Sequence, residues 1–102
     1  MGISIGSDYL VQFTSVKDQK VKPPAALSGA TCTFDATLVE GEVSLATTVA
    51  MPEVGTDGDY YGIFTDTLTA ARSTGDEVRF DMTCTDGAGT VRKKSFTDKV
   101  LG

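Results

Sequence analysis

Apolar and polar residues alternate along much of this chain, most regularly in two segments. From 30 to 38 every even position is apolar, and the odd positions between them hold three threonines and an aspartate. From 77 to 85 the even positions are again apolar and the odd ones polar. A period of two places alternate side chains on opposite faces of a β-strand and does not fit an amphipathic helix. Both segments are therefore predicted to be strands with one face in a core.

Shorter or less regular runs predict further strands, with turn sequences between them. Glu40-Gly41 is a turn signal that makes 30–51 a predicted hairpin, and the glycines of 86–89 predict a second hairpin loop. Residues 52–59 are predicted to be a loop. The further strands are predicted at 8–14, 43–51, 60–65 and 90–96, the last of which Val100 and Leu101 could extend.

Two segments do not fit a strand. Residues 66–75 allow one helical turn, which Asp66 could cap and Gly75 could end. Residues 17–29 are polar and contain Pro23-Pro24, which does not fit a helix interior or a central strand, so a long connection is predicted. Six or seven short strands without βαβ alternation predict an all-β sandwich or barrel.

Length and charge narrow the functional classes. The 102 residues predict one domain, 1–102, with a single core. With 14 acidic and 9 basic residues the net charge is −5, which argues against nucleic acid as a partner. The basic cluster Arg92-Lys93-Lys94 is interpreted as part of a solvated strand or turn. No segment approaches the ~20 apolar residues of a membrane-spanning helix, so no membrane partner is expected.

The chain contains no histidine, which is the commonest general base near neutral pH and a frequent metal ligand. Ser-His-Asp and Cys-His mechanisms and the usual zinc sites are thereby excluded. The Asp-Gly sequences within 56–59 and 85–89 could offer carboxylates to Ca²⁺, but they lack the EF-hand spacing and are typical of tight turns. The sequence predicts that the protein is not an enzyme and binds no metal or cofactor.

Cys32 and Cys84 each fall on the apolar face of a predicted strand. Two interpretations stay open for them, a disulfide or a pair of buried thiols. Their separation of 52 residues suits two facing strands of an immunoglobulin-like sandwich. The segments 30–38 and 77–85 are therefore expected to form facing core walls with the cysteines between them, where a bridge would join the two sheets.

The order of glycines and strands resembles a group of small β-sandwich proteins. Immunoglobulin-like modules of bacterial surface and phage proteins often have Gly-x-Tyr-x-Gly-x-Phe, then a glycine before an alternating strand, then a final hairpin. In this chain 55–64, 75–83 and 85–92 follow that order. The segments 3–13 and 30–38 are similar to small proteins of phage and prophage structural gene blocks.

The resemblance implies an all-β, immunoglobulin-like two-sheet antiparallel sandwich of six to seven strands. It also implies a phage or prophage structural or accessory protein of the head–tail junction, tail or capsid surface. Its partners would be copies of itself or other virion proteins, which could contact edge strands or the 17–29 connection. The N-terminal residues do not read as a signal peptide. The expected location is therefore the host cytoplasm during assembly and then the virion.

Two other functions remain as alternatives. One is an extracellular ligand- or carbohydrate-binding immunoglobulin-like module, in which an exposed Tyr60 or Tyr61 could stack on a sugar. The other is a cytoplasmic inhibitor that docks on a host enzyme.

Overall fold

The structure is a computed structural model, and it describes residues 2–14, 16–18, 25–26, 29–56, 58–85 and 91–101. Strands make up most of these residues. A 3₁₀ turn covers Glu40–Glu42 and a short helix, α1, covers Asp66–Ala70. The strands are β1 (Tyr9–Phe13), β2 (Lys17–Asp18), β3 (Ala25–Ala26), β4 (Thr31–Leu38), β5 (Val43–Ala50), β6 (Tyr60–Phe64), β7 (Glu77–Thr85) and β8 (Val91–Lys99).

Two antiparallel sheets form the body of the fold. The larger has the strand order β5-β4-β7-β8, and the smaller pairs β1 with β6. The two-residue strands β2 and β3 pair with each other in a separate ladder. The buried faces of the two sheets contribute to one core cluster, so the fold is all-β and sandwich-like, as the alternation predicts.

The core lies mainly over β4 and β7, the two central strands of the larger sheet. In both strands every core-facing residue from Cys32 to Ala36 and from Val78 to Cys84 is no more than 4% exposed. The two strands pair over eight positions, from Thr31 opposite Thr85 to Leu38 opposite Val78. The predicted inward and outward faces of both segments are therefore correct.

Phe80 of β7 is the centre of the aromatic packing. It is completely buried. The ring centroids of Tyr9 and Phe64, from the smaller sheet, lie 5.2 and 5.3 Å from its own. Those of Phe34 and Phe96, from the larger sheet, lie 6.0 and 5.1 Å away. One side chain thus contacts both sheets, in stacked and edge-on geometries that aromatic pairs favour.

Gly62 sets how closely β6 approaches the larger sheet. A Cβ at this position would lie 2.9 Å from a ring carbon of Phe34 and 2.8 Å from Cγ of Met51. Both neighbours are buried, so neither can withdraw into solvent. The glycine is therefore required by the contact between sheets, although glycine in the interior of a strand is unfavourable in itself.

The hairpin of β4 and β5 has the predicted partners but an irregular register. The pairing shifts between Phe34 and Ala36 and again between Ala36 and Thr37. Thr48 has a φ of 50°, and its N–H donates to Oδ1 of Asp35 at 2.6 Å. These bulges break the alternation that predicts one shared face for residues 43, 45, 47 and 49. Leu45 is half-buried, whereas Val43 is exposed.

The ends of the chain meet beside β8. Ile3 forms a parallel bridge with Val100, and both side chains are buried. Ile3 N–H donates to the carbonyl of Lys99, and Leu101 N–H donates to the carbonyl of Ile3, both at 2.9 Å. The predicted extension of the last strand towards residue 101 therefore takes the form of a bridge to the N-terminal segment.

The predicted helix cap, the predicted connection at 17–29 and the predicted turns have different outcomes. The helix cap is Thr65, and Asp66 is the first residue of α1 rather than its cap. Most of the 17–29 connection lies outside the described residues, and so does the loop at 86–89. The turn at 40–41 is present, with Gly41 at a φ of 78°.

The expectation that the two cysteine-bearing strands face each other across the sandwich is wrong. β4 and β7 are neighbours in the larger sheet, and Cys32 lies directly opposite Cys84 in their ladder. The alternation defines which face of a strand is buried, but it carries no information on whether two such strands are adjacent or opposed. The pair therefore links neighbouring strands and does not join the two sheets.

We expect Phe80→Ala to lower the free energy of unfolding by about 4 kcal/mol, because the deletion leaves a cavity that four rings line. Phe96→Ala is the matched control, since Phe96 is only half-buried at an edge of the cluster and should cost clearly less. Urea unfolding of both variants measures the difference. Equal losses would contradict the central position assigned to Phe80.

Candidate association surface

The outer edge of β1 has no backbone partner in the described part of the chain. β1 pairs with β6 along its other side, from Tyr9 opposite Phe64 to Phe13 opposite Tyr60. Apart from that ladder, no described backbone group hydrogen-bonds to the backbone of residues 9–13. Alternate N–H and C=O groups of an edge strand point away from its partner. β1 can therefore accept a further strand.

The other sheet edges carry features that discourage pairing. β8 holds Lys93 and Lys94, and charged residues of this kind discourage an added strand. β5 is interrupted by the two register shifts of its bulges. The free side of β6 is partly occupied, because Tyr61 N–H donates to the carbonyl of Pro52 at 3.1 Å and Glu53 bridges to Tyr60.

β1 lacks all of these features. Its sequence, Tyr-Leu-Val-Gln-Phe, contains no charged residue and no proline, and its register with β6 is continuous over five pairs. An uninterrupted, uncharged edge is the kind that pairs readily with another strand. This contrast with the neighbouring edges makes β1 the candidate association surface.

A cleft opens beside this edge, because the larger sheet is wider than the sheet that covers it. The cleft has a volume of about 310 Å³ and is lined by Gly2, Asp8, Tyr9, Leu10, Gln12 and Phe96. Phe96 is half-buried and belongs to β8. We call this space between the edge of β1 and Phe96 the β1 cleft.

A hydrogen bond joins the two sheets beside the β1 cleft. The Tyr9 hydroxyl donates to Oδ2 of Asp98 in β8 at 2.6 Å. Burial, the hydrogen bond and the nearby carboxylate charge together raise the pKa of Tyr9 well above its usual range. The phenol therefore stays protonated and continues to donate across the neutral pH range.

The outer face of the smaller sheet next to the cleft is partly apolar. Leu10 and Ile63 are directly paired, and each is 42% exposed. Gln12 and Tyr61 form the next pair on the same face. A partner strand at the edge of β1 would therefore lie next to Leu10, whereas Ile63 is one strand further away.

The cysteines lie far from accessible solvent. Cys32 and Cys84 are 4% and 0% exposed and are joined by a disulfide, with their Cα atoms 4.0 Å apart. Their position between two central strands makes the bridge a structural element of the larger sheet. Neither sulfur contributes to the β1 cleft.

The basic cluster is divided between the two faces of β8. Lys93 is opposite Thr83 and points away from the core, whereas Lys94 is opposite the buried Met82 and shares the face of Phe96. Arg92 Nη1 donates to the carbonyl of Val91 at 3.1 Å. The cluster therefore lies on a strand, as one interpretation of the sequence has it. Arg92, opposite the buried Cys84, and Lys94 share the face of Phe96, and Lys94 is the nearer of the two.

The paired tyrosines also point to opposite faces. Tyr60 is buried, and its hydroxyl accepts the N–H of Ala30 at 3.0 Å. Burial raises the pKa of Tyr60. Tyr61 is half-buried on the outer face and is the one of the two that solvent reaches.

The Asp-Gly sequences fall partly outside the described residues, at 57 and 86–90. Within the described ranges no group of three or more acidic or cysteine side chains is placed to hold a metal ion. The described helices also include none long and apolar enough to span a membrane.

Comparison with protein-family profiles, with curated protein sequences and with solved structures gave no match.

Sequence reasoning did not single out the edge of β1. Its signal, five strand-forming residues without charge or proline, is visible in the sequence. The sequence does not tell which strands lie at the edge of a sheet. The strand pairing shows that β1 is an edge strand and that the other edges are protected. The cleft depends in addition on the different widths of the two sheets, which alternation does not define.

Tyr9→Phe should lower the free energy of unfolding at pH 8 by about 1.5 kcal/mol, the scale of a hydrogen bond to a charged group. The raised pKa means that the stabilisation is complete below pH ~10, where the unfolded tyrosine is also protonated, and is lost as the pH rises further. The variant should therefore show a shallower alkaline loss of stability. Urea unfolding between pH 8 and 11 tests this, with Tyr61→Phe as the control that should change stability at pH 8 little.

Reduction of the disulfide should lower the free energy of unfolding by about 4 kcal/mol, because the bridge closes a loop of 52 residues in the unfolded chain. Urea unfolding with and without a phosphine reductant measures the loss. The double variant Cys32→Ala/Cys84→Ala should not respond to the reductant. A wild-type transition that the reductant leaves unchanged would contradict a structural role for the bridge.

Proposed function

We propose that this protein is a structural or accessory component of a phage or prophage virion, of the immunoglobulin-like class, and that it acts by protein–protein association. The observation that carries the proposal is the unprotected edge of β1 beside an open cleft. Edge strands that serve no association are normally blocked by charge, proline or irregularity. The other edges of this fold follow that rule and β1 does not.

Two further features support association as the function. The outer face next to the edge exposes Leu10 and Ile63 as a directly opposed cross-strand pair, which extends the apolar surface beyond the edge itself. The disulfide suits a protein that works outside a reducing cytoplasm, as a released virion does. The order of strands and glycines resembles that of small phage structural proteins, and this resemblance is the reason for proposing a virion as the assembly.

The disulfide equally favours an extracellular binding module, which is the second candidate. A carbohydrate-binding function would need exposed aromatic platforms. Of the two adjacent tyrosines, Tyr60 is buried in the core and only Tyr61 reaches the surface. This arrangement offers a single partial platform, and it makes association through β1 the better supported function.

The proposal predicts that the protein is present in particles purified from its native host after induction and nuclease treatment. Mass spectrometry of gradient-purified particles measures its copy number. Leu10→Lys, which introduces a charge at the β1 edge, should reduce the copy number at least about fivefold, the effect of losing one interface contact of roughly 1 kcal/mol. Thr67→Lys, at an exposed position of α1, is the control that should be incorporated normally.

Absence from particles would contradict the virion assignment. Recovery in a stable complex with a soluble host enzyme would instead favour the inhibitor. Binding to a glycan array that depends on Tyr61 would favour the extracellular module.

A further inference from the structure

We infer that the β1 cleft receives one extended strand of a partner protein, and that the inward face of this strand carries an apolar residue and, two positions away on the side of Lys94, an acidic residue. The inference rests on the proposed function, because it specifies the partner that the association surface accepts. It follows from three features: the free edge of β1, the position of β8 below the cleft, and the charge next to Phe96.

The edge supplies the backbone part of the interaction. An incoming strand beside β1 would form the ladder that β1 has on only one side, with strands about 4.8 Å apart. Such strand addition gives affinity through main-chain hydrogen bonds and specificity through alternate side chains. The five residues 9–13 provide a regular template of ordinary strand length.

The position of β8 disfavours a second copy that pairs antiparallel through its own β1. Phe96 of β8 lines the cleft together with Tyr9, Leu10 and Gln12 of β1, so β8 lies beneath the space beside β1. A second copy placed edge to edge would bring its own β8 into the same position. A single strand without a sheet beneath it meets no such obstacle, and it would cover the exposed part of Phe96.

The side chains of β8 define what the incoming strand should carry. Phe96 and Lys94 are two residues apart on the same face, opposite the buried Phe80 and Met82. Their spacing of roughly 7 Å equals that of alternate residues on a strand laid above them. Lys94 is exposed and forms no hydrogen bond or ion pair within the described part of the chain. An apolar side chain above Phe96 and a carboxylate above Lys94 would complement both.

Asp98, on the other side of Phe96, is negatively charged, so the preference for a carboxylate is confined to the side of Lys94. Its carboxylate accepts the Tyr9 hydroxyl at 2.6 Å and Lys99 N–H at 2.9 Å, so that both oxygens are occupied. Lys94 is therefore the charged side chain next to Phe96 that remains available to a ligand.

The probes for the test are the peptide acetyl-Thr-Glu-Val-Phe-Val-Thr-Thr-amide and its reversed sequence, acetyl-Thr-Thr-Val-Phe-Val-Glu-Thr-amide. One of the two places its glutamate above Lys94 when it adds parallel to β1, and the other does so when it adds antiparallel. Titration into ¹⁵N-labelled protein should shift amide signals of residues 9–13 and 94–98. Alternate amides of β1 should also gain protection against hydrogen exchange.

Three comparisons isolate the steps of the inference. A peptide N-methylated on alternate residues along its pairing edge should not bind, because the ladder cannot form. Replacing the glutamate by lysine should weaken binding about threefold, the scale of an exposed ion pair. Lys94→Glu should reverse that preference, whereas Lys93→Glu, on the opposite face of β8, should leave it unchanged.

On the other side of the cleft, Leu10→Lys should weaken binding of the peptide. Ile63→Lys should not, although Ile63 has the same exposure and is the direct partner of Leu10. Equal effects of the two variants would overturn the assignment to the edge of β1.

The remaining outcomes separate this inference from the proposed function. Equal binding of the N-methylated peptide, or no binding near 1 mM, overturns the strand addition but leaves incorporation into particles intact. A wild-type dimer in sedimentation velocity that Leu10→Lys dissociates identifies a second copy as the occupant and also overturns it. Absence of the wild-type protein from particles, together with normal binding of the peptide, contradicts the proposed virion function but leaves the inferred strand addition intact.

Discussion

The pairing of β4 with β7 is the constraint on which the rest of the structure depends. Eight consecutive residue pairs without a register shift place the core-facing residues of both strands on one surface. A slip by one residue would turn that entire apolar set to solvent, so the burial of the core fixes the register. Phe80 then lies where rings from both sheets converge, and Cys32 lies opposite Cys84. The outer strands β5 and β8 are added to this pair, and the smaller sheet packs above it.

Alternation predicted the central strands almost to the residue. Residues 30–38 and 77–85 became β4 and β7, with the expected faces buried. Two strong local signals were enough here, because a period of two is incompatible with a helix and because burial on one face leaves no choice of orientation. The all-β class followed from the same evidence.

Local patterns failed where geometry depends on contacts between distant segments. The bulges of β5 rest on Asp35, which accepts the N–H of Thr48 across the hairpin. The position of the cysteines depends on which strands are neighbours. The β1 cleft depends on the different number of strands in the two sheets, and that number is a property of the whole topology. None of these has a signature within a window of ten residues.

The distance between the two sheets also sets the depth of the β1 cleft. Gly62 pairs with Val11, so β6 and β1 move as one unit relative to the larger sheet. A side chain at position 62 would meet Phe34 and would lift that unit away from β4 and β7. The depth of the cleft would then change without any substitution in its lining. A single codon, remote from the proposed association surface, can thus alter the shape of that surface.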